Sequence, residues 1–256
     1  MQIATFNVNS LRARLPVVRR WLELAQPDVV ALQELKCENA HFPCADFEDL
    51  GYHMTIHGQK SYNGVAFLSR VEPTDIQRGF RDPDMSLDAR LVAATFGNLR
   101  IINTYCPNGT ALGTDKFAYK LRWFAQMRQE IESLAQGGPC IWLGDINIAP
   151  TELDVFHPER RLNSVGFQPE EKAALMAITD LGWTDVFRQQ HPGEDGHYTF
   201  WEYMIPNGFK RNFGWRIDHI YANELAVPGA GRCWVDKEPR TWEKPSDHTP
   251  VLVEWS

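Results

Sequence analysis

The segment Cys140-Ile141-Trp142-Leu143-Gly144-Asp145-Ile146-Asn147 is an apolar run that stops at a carboxylate and an amide two residues apart. A short continuous apolar run that breaks off in this way predicts a buried strand over 140–143, and residues spaced by two beyond it share a face. Gly144 lets a neighbouring backbone come close at that end. The pattern recurs along the chain. Asn7 closes a run in TFNVNS, Glu34 follows Val29-Val30-Ala31-Leu32-Gln33, Asp218 follows Trp215-Arg216-Ile217, and Asp247-His248 stands beside the run from Pro250. Strands at these places would carry the whole polar set to sheet edges.

Working outward, strands are expected at 3–7, 29–33, 52–56, 64–69, 91–96, 100–105, 140–143, 198–201, 215–221, 232–235 and 250–254, with Phe96-Gly97-Asn98-Leu99 as a hairpin turn. Helices are expected at 16–25, opening on Pro16, and at 169–181, where Glu170 and Glu171 suit the first turn. A third, 115–136, places Phe117, Leu121, Phe124, Ile131 and Leu134 on one stripe and is stopped by Gly137-Gly138-Pro139. About ten strands mixed with a few helices predict α/β or α+β layers, sheets packed together with helices outside. Both halves contribute polar residues, so a cleft between two sheets is their natural meeting place. There is no internal repeat, low-complexity tract or linker, and one domain over 1–256 is expected.

Composition narrows the function. A hydrophobic content of 43% and a charged content of 23% are those of an ordinary globular chain. The net charge of −7 argues weakly against nucleic acid, but three stretches carry basic residues and no acid. They hold Arg12, Arg14, Arg19 and Arg20; Lys116, Lys120, Arg122 and Arg128; and Lys210, Arg211 and Arg216. Local basic faces can grip a phosphate backbone whatever the total charge, although solvated helix faces are the plainer alternative. Five cysteines without paired spacing predict free thiols in a reducing compartment, the cytoplasm by default. No charged-then-apolar leader and no membrane-length apolar run are present. The phosphate-binding loop, the dinucleotide fingerprint, the nucleophile elbow and zinc-ligand spacings are all missing.

What remains is a set of hard oxygen ligands, one histidine and several amides, the groups that hydrolysis of a phosphodiester with a hard divalent metal needs. Glu34 could anchor Mg²⁺, or simply be an exposed strand-end acid. Asp145 could orient or deprotonate a water while Asn147 donates to a phosphate oxygen, or both could cap a turn. His248 needs a carboxylate to fix its ring; Asp247 beside it would diverge on a strand, so the distant Asp218 is the better partner. The other seven histidines, His191 and His197 among them, are read as structural. Tyr105 could present its phenol or merely pack. Phe200, Trp201, Met204, Trp215 and Ile217 interleave with Lys210, Arg211 and Arg216, which suits an extruded sugar or base in an aromatic cup with a basic rim, or ordinary core aromatics.

Taken in order, FNVNSLRARLP, ALQELK, YNGVAFLSR, NTYCPNG, KFAYKLRWF, LGDINIAP, GWRIDHI and KPSDHTPV resemble the exonuclease III family of DNA-repair nucleases nearly end to end. That family lies within the endonuclease/exonuclease/phosphatase superfamily. The resemblance implies a four-layer αββα sandwich of two mixed sheets flanked by helices, a monomer acting on DNA with Mg²⁺ or Mn²⁺. Cleavage 5′ of abasic sites, 3′→5′ exonuclease and 3′-phosphatase or phosphodiesterase activities are implied. It also implies Glu34 as main metal ligand with Asn7, Asp145, Asn147 and Asp247 around it, and Tyr105, Asp145, Asn147, Asp218 and His248 as catalytic. Phe200, Trp215 and Ile217 would form an abasic-sugar pocket, and Arg90, Asn108, Lys120, Met204, Lys210 and Arg211 would touch DNA. Two departures stand out: Thr110-Ala111 where some relatives carry a basic residue that enters the duplex, and Trp215 where close relatives carry leucine. A non-catalytic binding relative, or a phosphodiesterase acting on RNA or another phosphate ester, are the alternatives.

Overall fold

The computed structural model describes residues 1–135 and 137–256, so Gln136, the expected end of the third helix, lies outside the described residues. The strands are β1 (Gln2–Asn7), β2 (Val29–Gln33), β3 (His53–His57), β4 (Val65–Ser69), β5 (Thr74–Arg78), β6 (Leu91–Phe96), β7 (Leu99–Tyr105), β8 (Cys140–Asp145), β9 (Trp183–Asp185), β10 (Asp218–Asn223), β11 (Ala230–Val235) and β12 (Val251–Trp255). The helices are α1 (Leu11–Ala25), α2 (Ala45–Glu48), α3 (Asp115–Leu134), α4 (Pro169–Thr179) and α5 (Val186–Gln190). The strands form two six-stranded sheets, β11-β12-β1-β2-β4-β3 and β5-β6-β7-β8-β10-β9. Each is mixed: β1 and β2 run parallel at the centre of one, β7 and β8 at the centre of the other, and the remaining neighbours are antiparallel.

The alternation of side chains along a strand builds the layers. Ile3, Val29 and Phe67 of the first sheet meet Ala94, Ile101 and Leu143 of the second between the sheets. The opposite faces carry Phe6, Leu32 and Leu68 against Trp21 and Leu22 of α1, and Ile102, Trp142 and Tyr221 against Trp123 and Met127 of α3 and Leu175 of α4. The result is the helix–sheet–sheet–helix sandwich. Amides cross the inter-sheet layer: Gln33 donates to Asn103 at 2.7 Å, and Asn103 donates to the carbonyls of Leu32 and Ala66, each at 3.0 Å. Gly144 takes φ +137°, and a Cβ there would lie 2.0 Å from the Thr104 carbonyl oxygen, so this position in β8 demands glycine.

Several expectations need correction. The first helix begins at Leu11, not Pro16; Pro16 lies inside it on the exposed face, where water can take the hydrogen bond its missing N–H leaves open. The buried stripe of α3 is Lys120, Trp123, Phe124, Met127, Glu130, Ile131 and Leu134, so Phe117 and Leu121 are only partly covered. Segment 198–201 is no strand, and Phe200 makes only isolated bridges to Trp215 and His248. The strand expected from 215 starts at Asp218. The unanticipated β5 is a polar, largely exposed edge strand with a bulge, and β9 has three residues, so neither carries an apolar signal.

Arg216 is also not part of a basic rim. It is 1% exposed and binds Asp154 at 2.7 Å and Asp185 at 2.8 Å, while Arg188 meets Asp154 at 2.6 Å. Burial would raise the Asp185 carboxyl, but Arg216 and His219 outweigh it and hold it far below the usual carboxylate range. With a depressed folded value, this pairing stabilises fully above an unfolded pKa of about 4 and is lost as pH falls below it. Arg216→Met, which takes the guanidinium from Asp185 and leaves Asp154 with Arg188 alone, is expected to cost about 3 kcal/mol at neutral pH, read as a lower urea midpoint. The deficit should shrink as the titration is repeated below about pH 4. A deficit independent of pH would mean that packing, not charge, is what Arg216 supplies.

Candidate active site

The two parallel strand pairs end at the same edge of the sandwich, and the polar residues sit at those ends. In the first sheet β1 ends at Asn7, and Glu34 directly follows β2; in the second, β7 and β8 end at the paired residues Tyr105 and Asp145. Asp218, the first residue of the antiparallel β10, pairs with Asp145 in register. His248 arrives from the turn before β12 and makes a bridge with Phe200. Glu34 adopts φ +54° and Asn147 φ +55°, so the chain turns out of the sheet at both places.

Asn7 ties the sheets together. Its buried Nδ2 donates to Glu34 Oε1 at 2.9 Å and to Asp145 Oδ2 at 2.8 Å. Glu34 Oε2 also meets Lys36 Nζ at 2.8 Å. Burial would raise Glu34, but Lys36 and Asn7 outweigh it and keep the carboxyl below its ordinary value. Asp145 accepts the Asn147 backbone N–H at 3.0 Å. Burial pushes its pKa up to about 8, with Asp218 and Glu34 adding to the shift and His248 opposing it. His248 Nδ1 donates to Asp218 Oδ2 at 2.8 Å, which turns Nε2 toward Asp145, 3.8 Å from its Oδ2. Burial works against the imidazolium, yet Asp218 and Asp145 prevail and raise His248 to about 10. Tyr105 lies under the Arg90 guanidinium, and burial near Glu34 and Asp145 raises its phenol well above the ordinary value.

Glu34, Asp145 and His248 offer ligand atoms all within 4.8 Å of one another. The other residues expected around a metal are differently engaged. Asn7 and Asn147 spend amide protons on neighbours, Asn147 Nδ2 on the Cys106 carbonyl, and Asp247 is held by Asn9 Nδ2 at 3.0 Å. Next to this group opens a cavity of about 610 Å³, lined among others by Asn108, Asn147, Phe200, Trp215, Ile217 and Arg161. The three residues expected in a sugar pocket thus share one wall.

The surface residues divide. Met204, Lys210 and Arg211 are exposed, while Arg90 is committed to Asp88 and to the Tyr105 carbonyl. Lys120 corrects the expectation of a DNA contact. It is fully buried, pairs with Glu171 at 2.5 Å and donates to the Asn147 and Asn108 carbonyls at 2.7 and 3.1 Å. It props the loops carrying those two side chains. Sequence reasoning missed Lys36, Asn9 and Thr199, and gave no role to Ser246. Lys36 and Asn9 link Glu34 to Asp247, Thr199 Oγ1 accepts the Ile217 and Asp218 N–H groups, and Ser246 Oγ donates to the Asn7 carbonyl and accepts the His248 N–H. Only the proximity of Lys36 to Glu34 and of Ser246 to His248 could have suggested them.

Because the folded His248 value is raised, its stabilising contribution is complete below about pH 6.5 and is lost as pH rises through about 10. Asp218→Asn removes the closest negative charge, and burial then lowers the imidazole toward or below its ordinary value. An imidazole NMR titration is expected to show His248 moving down by at least about two units, with the alkaline limb of the stability–pH curve following it. A His248 that still titrates near 10 would assign the effect to Asp145 instead.

A model of the endonuclease/exonuclease/phosphatase family matches residues 4–248. Exodeoxyribonuclease III of Haemophilus influenzae is 35% identical over 267 residues, with all of both chains covered. Among solved structures, an AP endonuclease from Archaeoglobus fulgidus superposes with a TM-score of 0.96 at 38% identity, covering 100% of this chain and 99% of that one. A 3′ phosphatase from Neisseria, solved bound to product DNA hairpin, gives the same TM-score and coverage at 39% identity. With the αββα sandwich and the carboxylate–amide–histidine cleft already in place, these likenesses assign the chain to the exonuclease III branch of the endonuclease/exonuclease/phosphatase family.

Proposed function

We propose that the protein is a Mg²⁺-dependent DNA phosphodiesterase that cleaves 5′ of abasic sites in duplex DNA and clears 3′ ends by 3′→5′ exonuclease and 3′-phosphatase chemistry. The observation that carries this reading is a junction: the Glu34–Asn7–Asp145 bridge and the Asp218-held His248 stand directly beside the wall of Phe200, Trp215 and Ile217. The names of its relatives supply the substrate class, being those of an exodeoxyribonuclease, an AP endonuclease and a 3′ phosphatase with product DNA. Residues 1–256 would act as one domain and as a monomer, and its cysteines, none of which forms a disulfide, suit the cytoplasm.

The residues present fit a hard divalent cation. Two carboxylates from opposite sheets converge, and Asp218 Oδ1 is buried without a hydrogen-bond partner nearby. Glu34 and Asp145 would hold Mg²⁺ or Mn²⁺, with Asn7, Asn147 and Asp247 bordering it. When bound, such an ion neutralises charge on the phosphate and its leaving oxygen. His248, cationic at neutral pH, directs Nε2–H at a non-bridging phosphate oxygen, and Asp218 fixes that direction. Asp145, its carboxylate held by the Asn7 amide and the Asn147 N–H, would orient the attacking water and take its proton. Asn147 keeps one amide proton free for the phosphate, and Tyr105 stays a neutral phenol able to donate to a phosphate or leaving oxygen. The Phe200–Trp215–Ile217 wall accepts a deoxyribose whose base is gone, while exposed Met204, Lys210 and Arg211, with Asn108 at the cavity, meet the flanking strands.

The decisive test is a labelled duplex with one tetrahydrofuran abasic analogue, incubated with Mg²⁺ beside an EDTA control, an intact duplex and a 3′-phosphate nick. Incision at the analogue, abolished by EDTA and slowed about 10²–10⁴-fold in Asp145→Asn with DNA affinity nearly unchanged, is expected. Hydrolysis of the 3′-phosphate alone would restrict the protein to end cleaning. Activity only on RNA or another phosphate ester would move its substrate class, and silence on every substrate would leave a binding protein. Separately, Trp215→Ala should lose preference for abasic over intact duplex while 3′-phosphatase turnover changes much less. A uniform loss on all substrates would make Trp215 a packing residue.

A further inference from the structure

A second group of metal-ligating side chains lies apart from Glu34, Asp145 and His248. His191, Glu194 and His197, three residues apart in the chain, place Nδ1, a carboxylate oxygen and Nε2 within 4.8 Å of one another. The turn through Pro192 and Gly193, the latter at φ +76°, folds Glu194 back onto His191, the residue that caps α5. Glu194 Oε2 stands 3.2 Å from His191 Nδ1 and 2.8 Å from His197 Nε2. Two ligands each about 2.0–2.2 Å from a shared tetrahedral Zn²⁺ lie about 3.3–3.6 Å apart, so the His191 pair is close to that spacing and the His197 pair would open by about half an ångström.

The surroundings fix the rings. His191 Nε2 is 3.3 Å from the Cys233 carbonyl, which can only accept, so Nε2 carries the proton. In the neutral ring Nδ1 then turns a bare lone pair toward the Glu194 carboxylate, an arrangement that repels unless a proton or a metal cation stands between them. A backbone carbonyl holding the remote N–H is also the usual outer support of a metal-bound histidine. Phe187 packs on His191 at 4.4 Å and on His197 at 5.3 Å, bracing both rings. Arg188 Nη1 holds the loop by donating to the carbonyls of His191 and Glu194.

We propose that His191, Glu194 and His197 form a site for a borderline divalent transition ion, Zn²⁺ above all. Two imidazoles and one carboxylate suit such an ion and not Mg²⁺, which asks for oxygen ligands throughout. Three protein ligands leave one position to water. The loop leads directly into 198–201, the segment that carries Phe200, and its Gly196 carbonyl already receives Asn212 and Lys237. An ion here staples the end of α5 to the start of that segment. The site is independent of the proposed DNA chemistry.

The test uses full-length protein without a histidine tag, stripped by EDTA and carrying Glu34→Gln and Asp145→Asn to silence the other ligand group. ZnCl₂ titrated against a chromophoric chelator is expected to report one equivalent bound, with a raised thermal midpoint. Adding His197→Gln, or separately Glu194→Gln, should weaken Zn²⁺ at least about tenfold and remove the thermal shift, with an unchanged circular dichroism spectrum. Co²⁺ should give a visible absorption band in the first protein and not in the His197→Gln protein. Zn²⁺ affinity indifferent to both substitutions, or no binding at a hundred micromolar Zn²⁺, would overturn the proposal.

Discussion

Three carboxylates, Glu34, Asp145 and Asp218, converge on one cleft, two of them almost wholly buried, and everything around them answers the resulting repulsion. Two like charges about 4 Å apart repel by about 4 kcal/mol at an effective dielectric near 20. The chain meets this with one imidazolium, one lysine and one amide. His248 offsets Asp218 and Asp145, Lys36 offsets Glu34, and Asn7 donates to Glu34 and Asp145 at once. Burial does most to push Asp145 up, and the charges of Asp218 and Glu34 add to it against His248. A site in this condition favours a divalent cation and a water that can lose its proton.

The topology brings the charges together. Each sheet places its one parallel pair at the centre, so that two neighbouring strands finish at the same edge, and the two sheets face each other with those edges aligned. Four of the polar residues, Asn7, Glu34, Tyr105 and Asp145, come from the ends of just these strands. Apolar side chains alternate on both faces behind them, and the Gln33–Asn103 amide pair crosses the inter-sheet layer. These groups are therefore set on packed strand ends.

Two basic residues that look like surface charge in the sequence are internal struts. Lys120 neutralises buried Glu171 while supporting the loops of Asn108 and Asn147, and Arg216 joins Asp154 to Asp185 immediately before Ile217 and Asp218. Both lie one step behind the candidate site. Their placement shows why an acid-free run is an uncertain guide to a nucleic-acid surface: the balancing acids sit far off in the chain.

The sequence by itself determined the strands of the two sheet centres, the Gly97 hairpin, the helix stopped before Gly137 and the polar residues at the strand ends, because apolar periodicity and turn chemistry are local. It also named the Asp218–His248 pair, since neighbours on an extended chain point apart. Short or polar elements escaped it: β5 and β9 carry no apolar pattern, and the helix through Pro16 obeys exposure more than propensity. Only the tertiary structure decided which charges are buried and what they touch. It joined Asn7 to Asp145 across 138 residues and took Lys120 and Arg216 out of solvent. The reason is physical: the fate of a charge depends on the partner and the solvent that folding leaves it, and neither is written in its own stretch of chain.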